Sequence, residues 1–250
     1  EYNVTDSGTQ QSTLVYDLYP WTQLDSAKIG IDTSNERLDF DIEIQTIDNA
    51  YRSIPTGGST WVMRYKLRFT TLTATSGSGI YFVVDISDDG TTAGNNWATG
   101  AMGIQLNFDE SNNKALALYG DGATAVEIFV PVINTDYYVE VLKTGSTTVT
   151  ATIGTDSYGG VANGGSASMT GVTASTSQDT FAVRNRGTSS GSSGHEVVGY
   201  IKDFQFTNNT NTSATIPTIT DNFDELPVSE TSWVLRGKSV ITNYTVGGDG

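Results

Sequence analysis

The feature that most constrains this chain is a period-two alternation of apolar and polar residues, repeated in short runs that end at Gly, Asn or Asp. In residues 38–47, LDFDIEIQTI, the side chains of Leu38, Phe40, Ile42 and Ile44 fall on one face and those of Asp39, Asp41 and Glu43 on the other. That is the pattern of a half-buried strand, whose side chains point alternately to opposite faces. It recurs in WVMRYKLRFTTLTA (61–74), AMGIQLNF (101–108), KALALYG (114–120), AVEIFVPV (125–132), DTFAVRNR (179–186) and HEVVGYIKDFQF (195–206). IYFVVDIS (80–87) is almost wholly apolar, as a strand in the middle of a sheet would be. Residues 134–154, NTDYYVEVLKTGSTTVTATIG, read as a hairpin turning at TGS. Helical periodicity is nearly absent. The expectation is an all-β chain, an antiparallel two-sheet jelly-roll sandwich with a C-terminal strand-like extension.

Turn and loop chemistry divides it further. Residues 1–11 form an N-terminal lead, 12–207 the sandwich, 208–220 a polar linker (NNTNTSATIPTIT), and 221–250 a strand-like segment carrying Trp233. That last segment repeats, loosely, the order of features near the start of the sandwich. It is either the beginning of a second module or a segment that pairs with the sandwich of this molecule or a neighbour. The Gly/Ser/Thr-rich stretch 155–178 offers little to anchor a core and is expected to be surface loop.

Composition excludes several functions. The chain of 250 residues has no Cys, which removes thiol catalysis, thiolate metal sites and disulfides. Its single His195 leaves no His-rich zinc centre. Thirteen basic against 28 acidic residues give a formal charge of -15, which repels nucleic acid and anionic lipid. No apolar stretch approaches the roughly 20 residues that span a bilayer. Asn3, Asn208, Asn211 and Asn243 each begin an N-x-[ST] glycosylation sequon. With the missing Cys, the low Lys content and the high Thr and Asn content, they point to an extracellular or cell-surface address.

The order of Trp21 after YDLYP, the ERLDFDI strand, the long central strands WVMRYKLRF and IYFVVDIS, and the late GYIKDFQF resembles the concanavalin A-like lectin/glucanase superfamily in its laminin-G-like branch. The last run is similar to the terminal G-x-I-D-x-F-x-I strand of such domains, with Lys202 and Asp203 at the polar pair. The resemblance covers about residues 12 to 207. It implies two stacked sheets with a concave binding face, and a fold that hosts lectins, hydrolases, lyases and structural modules alike.

Four constellations bear chemistry. Asp39, Asp41 and Glu43 share a strand face, and a retaining glycosidase needs two carboxyls about 5 Å apart. D-x-D-x-E is similar to the E-x-D-x-E strand of laminarinase- and lichenase-type hydrolases of the superfamily; the plain alternative is a solvent-facing acidic face. In DISDDGTTAGNNW, Asp85, Asp88, Asp89, Asn95 and Asn96 offer hard oxygens to Ca2+, a rim ion that the resemblance also implies; the alternative is a polar turn. Trp97 in that loop either stacks on a sugar with Asn95, Asn96 and Asp89 beside it, or folds back as a loop anchor. Arg184, Arg186 and His195 flank the RGTSSGSSG loop and offer the polar side of an anionic-sugar site, but the Q-x-H and Y-x-K-x-G-x-Y strands of alginate-lyase relatives are missing. Trp21, Trp61 and Trp233 are expected in the core.

The functional expectation is a non-catalytic extracellular module that binds glycan or a cell-surface ligand at Trp97, Asn95, Asn96 and Asp89, with calcium at Asp85, Asp88, Asp89 and Asn95. The alternative is a structural subunit of a filament, surface layer or adhesin, a homo-oligomer assembled through its terminal strands. A glycoside hydrolase using Asp39, Asp41 and Glu43 comes third.

Overall fold

The computed structural model describes residues 2–5, 11–14, 21–23, 28–43, 49–73, 79–88, 100–108, 114–173, 175–185, 196–208 and 219–221. These form strands β1 (Tyr2–Thr5), β2 (Gln11–Leu14), β3 (Thr22–Gln23), β4 (Ile29–Asp32), β5 (Arg37–Glu43), β6 (Asn49–Ser53), β7 (Trp61–Thr73) and β8 (Gly79–Ser87). There follow β9 (Met102–Phe108), β10 (Lys114–Gly120), β11 (Val126–Phe129), β12 (Asp136–Gly145) and β13 (Thr148–Gly154). The series ends with β14 (Gly165–Thr170), β15 (Thr180–Asn185), β16 (Glu196–Asn208) and β17 (Ile219–Asp221).

Two antiparallel sheets stack as a jelly-roll sandwich, the architecture that the alternation implied. Sheet I runs β11-β10-β9-β8-β15-β6-β3; sheet II runs β14-β13-β12-β7-β16-β5-β4, with β17 also paired to β16. A separate β1-β2 pair precedes them. The core lies between the sheets, and aromatic rings tie it across the gap. Phe40 of β5 packs on Phe82 of β8 with centroids 4.3 Å apart, and Phe181 of β15 stacks on Phe204 of β16 at 3.8 Å. Such ring pairs add about 0.5–1.5 kcal/mol each beyond the area they bury. Trp21 and Trp61 are buried here as expected, while Trp233 lies outside the described residues.

The stretch 155–178 departs from the expected surface loop. Its Gly165–Thr170 portion is strand β14, paired along β13 from Thr148↔Thr170 to Ile153↔Gly165. Main-chain pairing needs no apolar side chains, and Met169 and Val172 supply enough burial to seat it. At the other end of the sequence, Ile219–Asp221 straddle the expected linker and add three residues to the β16 edge, opposite Phe204–Phe206. Asp203, with φ 55°, sits in the bulge that separates this pairing from that of β5. Residues 209–218 and 222–250 lie outside the described residues.

Candidate functional site

A sandwich has two outer faces, and here they differ. Phe82, Val84 and Ile86 of β8 point into the core, so Val83, Asp85 and Ser87 point away from it. Register then places whole rows on this outer face of sheet I. Asn49, Arg184, Val83, Gln105 and Ala117 form one row across β6, β15, β8, β9 and β10. Tyr51, Ala182, Asp85, Gly103 and Tyr119 form the next.

An outer face would ordinarily be wet, yet these polar side chains are enclosed. Asp85 is 1% exposed, Gln105 2%, Arg184 6% and Ser87 0%. Enclosed charge must be paired, and it is. Arg184 donates from Nε to Asp85 Oδ2 at 2.9 Å, and from one terminal nitrogen to Asp85 Oδ1 at 3.3 Å and Ser87 Oγ at 2.9 Å. Tyr119 donates its hydroxyl to Asp85 Oδ2 at 2.8 Å.

Gly103 makes that last bond geometrically available. It stands between Asp85 and Tyr119 in their row, and the two residues are two strand spacings, about 9.6 Å, apart. With no side chain at Gly103, the phenol ring has room to lie across the gap. A Cβ there would fall 2.0 Å from Val84 O, so the strand tolerates only glycine.

Gln105 completes the face. Its Nε2 donates to Asn107 Oδ1 at 2.7 Å, two residues along the same strand. Its Oε1 is buried and has no hydrogen-bond partner among the described residues. Leaving an acceptor in that condition costs about 1–3 kcal/mol. Small or apolar neighbours, Val83 and Ala117, flank it in its own row.

The outer face of sheet II carries a row of ion pairs, half-exposed except for Arg64–Glu140, which is largely buried. Arg37 pairs with Asp39 at 2.8 Å, Arg64 with Glu140 at 2.7 Å, Lys66 with Asp203 at 2.6 Å and Arg68 with Asp136 at 3.3 Å. Tyrosines sit among them: Lys66 lies over the Tyr138 ring, Arg64 over Tyr158, and Arg37 over Tyr200. Burial, reinforced by the charge of Asp203, pushes the Tyr158 phenol well above its ordinary value.

A further polar knot closes the sandwich where β7 begins. Lys143 is fully buried, and its ammonium donates to Gly58 O at 3.1 Å, to Gln178 Oε1 at 2.8 Å and to Ser175 O. Trp61 donates to the same Gln178 Oε1 at 2.9 Å. Burial pulls the ammonium below its ordinary value, against the opposing charge of Asp88. The knot joins a strand of sheet II to the segment entering β15 of sheet I, which is a structural role.

The residues singled out from sequence are dispersed by this geometry. Asp39 and Asp41 share the outer face of sheet II. Arg37 holds Asp39, and burial still lifts that carboxyl above its ordinary value. The Asp41 amide donates to Lys28 O at 2.7 Å, and its Oδ1 is buried without a partner among the described residues. The Glu43 side chain lies outside the described residues.

Of the cation set, Asp85 is engaged by Arg184 and Tyr119, and Asp88 accepts from Ser175 Oγ at 2.6 Å. Among the described residues no three His, Asp or Glu side chains gather as a metal site. Asp89, Asn95, Asn96, Trp97, Arg186, His195, Asn211 and Asn243 lie outside the described residues. Asn208 ends β16 and donates from Nδ2 to Thr56 O at 3.2 Å, and Asn3 lies in β1.

Sequence reasoning passed over Tyr119, Gln105 and Asn107 and gave Asp85 and Arg184 other roles. The available signal was a carboxylate in the apolar strand IYFVVDIS and a guanidinium in DTFAVRNR: two mid-strand charges that burial forces to find one another.

No protein-family model and no curated protein matches the sequence. Among solved structures the chain is similar to an alginate lyase of polysaccharide lyase family 7, at 12% identity and TM-score 0.47, covering 76% of this chain and 95% of that one. It is similar to the exoplasmic/lumenal domain of VIP36 in its Ca2+/Man3GlcNAc-bound form, at 13% identity and TM-score 0.46, covering 82% and 95%. Peanut lectin gives 11% identity and TM-score 0.44, covering 83% and 97%. These neighbours are themselves concanavalin A-like jelly rolls. At such identities the likeness concerns fold and not activity.

Proposed function

We propose that the chain is a non-catalytic, extracellular carbohydrate-binding module whose ligand lies on the outer face of sheet I. The observation that carries this reading is the polar surface facing away from the core, in which Gln105 Oε1 has no hydrogen-bond partner among the described residues. Fixed polar groups set among small and aromatic neighbours suit a ligand that presents hydroxyls and an apolar ring face together. Trp97, Asn95, Asn96 and Asp89, in the segment that follows β8 in the sequence, are the residue types that stack on a sugar ring and bond its hydroxyls. Asp85, the enclosed carboxylate of the face, is engaged by Arg184 and Tyr119 and is not free for acid/base work; Glu127, opposite Ala117 on the edge strand β11, is exposed.

The test is retardation of the full chain in gels containing soluble polysaccharides. Retardation by at least one is expected, abolished by Asn107→Ala and kept by Tyr138→Ala on the opposite face. A flat response across the panel contradicts the reading, as does loss of retardation in Tyr138→Ala alone. Retardation that chelator leaves unchanged means that protein groups alone hold the ligand; sensitivity to chelator would return calcium to the loop of Asp88, Asp89 and Asn95.

A second reading rests on a different observation. Val126, Val130, Val132 and Ile133 are exposed on and just after β11, the outermost strand of sheet I, and Val130 and Val132 are each 62% exposed. An apolar sheet edge invites strand pairing from a neighbour, which would serve a filament or adhesin subunit. Concentration-dependent assembly, lost in Val132→Lys, would support it, and a monomer at all concentrations would remove it.

A further inference from the structure

We infer that the buried pair Lys143 and Gln178 is a self-modification site, at which the lysine amine displaces ammonia from the glutamine amide and leaves an isopeptide bond between the two sheets.

The inference starts from a nucleophile and an electrophile shut in together. Lys143, Gln178 and Trp61 are each 0% exposed, and Lys143 Nζ lies 2.8 Å from Gln178 Oε1. Two of the three ammonium protons are committed to Gly58 O and Ser175 O. Loss of the third therefore leaves the nitrogen lone pair facing the glutamine amide. Burial eases that loss, because it pulls the ammonium below its ordinary value. The amide is prepared on its own side. Trp61 Nε1 donates at 2.9 Å to Oε1, where negative charge develops when the carbonyl is attacked, and Gln178 Nε2 is held by Gly100 O. Asp88 stands beside the residues that hold both nitrogens. It accepts from Ser175 Oγ at 2.6 Å, and a Cβ on Gly100 would lie 3.0 and 3.1 Å from its two oxygens. That places a carboxylate where protons pass from the amine to the departing nitrogen. Two groups fixed in contact react as if at an effective molarity of about 10⁵ M or more.

The step balances without a co-reactant. A bond forms from Lys143 Nζ to Gln178 Cδ and the Cδ–Nε2 bond breaks, while the carbonyl electron pair moves onto Oε1 and returns. Two ammonium protons leave with Nε2, so the products are a neutral amide and a free ammonium ion. The link ties β12 of sheet II to the segment entering β15 of sheet I, across 35 residues of a chain that has no cysteine to staple it.

The experiment weighs the full chain intact after storage at mildly alkaline pH and then maps its proteolytic peptides by mass. The expected result is a chain lighter than its sequence by one ammonia, with a branched peptide that joins Lys143 to Gln178. Lys143→Arg should have its full mass, and Asp88→Asn should acquire the link at least about tenfold more slowly. A wild-type chain that keeps its full mass overturns the inference, whether or not any variant folds. A deficit that maps to other residues overturns it as well, as does one that persists in Lys143→Arg. Equal rates in Asp88→Asn and the wild type would overturn the proton route assigned to Asp88.

Discussion

The two outer faces of the sandwich carry similar residue types, but apart from the buried Arg64–Glu140 pair the ion pairs of sheet II are far more exposed than that of sheet I. On sheet I, Asp85 and Arg184 are enclosed and bonded through several contacts, while on sheet II, Lys66–Asp203 and Arg68–Asp136 stand in solvent with side chains 27–45% exposed. The difference is one of surroundings and not of composition. An ion pair in water contributes little, because screening and side-chain entropy offset the attraction. An enclosed pair has already lost its hydration, and each member depends on the other.

The sharpest way to break the comparison is to remove one cation from each face. Arg184→Met should cost about 3–5 kcal/mol in chemical denaturation, because it strands the Asp85 carboxylate with only Tyr119 to stabilise it. Adding Asp85→Leu to that variant should recover much of the loss; a double variant no better than the single one would mean that shape, and not charge, is what the pair supplies.

Lys143→Met extends the test to the closed end of the sandwich. Gly58 O, Ser175 O and Gln178 Oε1 each lose a donor there, and a loss of about 2–4 kcal/mol is expected.

A smaller effect follows from two phenols. Burial holds the Tyr65 and Tyr158 hydroxyls protonated above their ordinary value of 10.0. Above pH 10 the unfolded chain gives up these protons before the folded one does, so the folded state binds more protons and stability falls as pH rises. Thermal melts on either side of pH 10 should show the decline, and Tyr158→Phe should make it shallower. A midpoint that rises through this range would contradict the burial of these groups. Smallest of all, Lys66→Ala should shift stability by no more than about 0.5 kcal/mol, and salt should erase even that.

The fold was legible in the sequence because period-two alternation reports burial directly: Leu38, Phe40 and Ile42 alternate with Asp39 and Asp41 along β5, as the pattern required. Strand β14 escaped it because GSASMT pairs through its main chain and carries almost no apolar signal. The site was harder for the same reason. Alternation marks the face that meets the core and is silent about the other, so Gln105 and Asn107 look like ordinary solvent positions until register sets them beside Asp85 and Arg184. The DISDDG run drew attention to Asp85, but chain neighbours implied a turn and a cation, whereas its partners Arg184 and Tyr119 come from 99 and 34 residues away.

Chemical-shift mapping of the labelled chain, titrated with a neutral oligosaccharide that retards it, addresses the central claim most directly. The perturbed amides should cluster at Val83, Gln105, Asn107 and Ala182 on sheet I and leave Lys66, Tyr138 and Tyr200 on sheet II unmoved. Perturbations centred on the sheet II tyrosines would contradict the account, and would make the row of ion pairs the binding face instead.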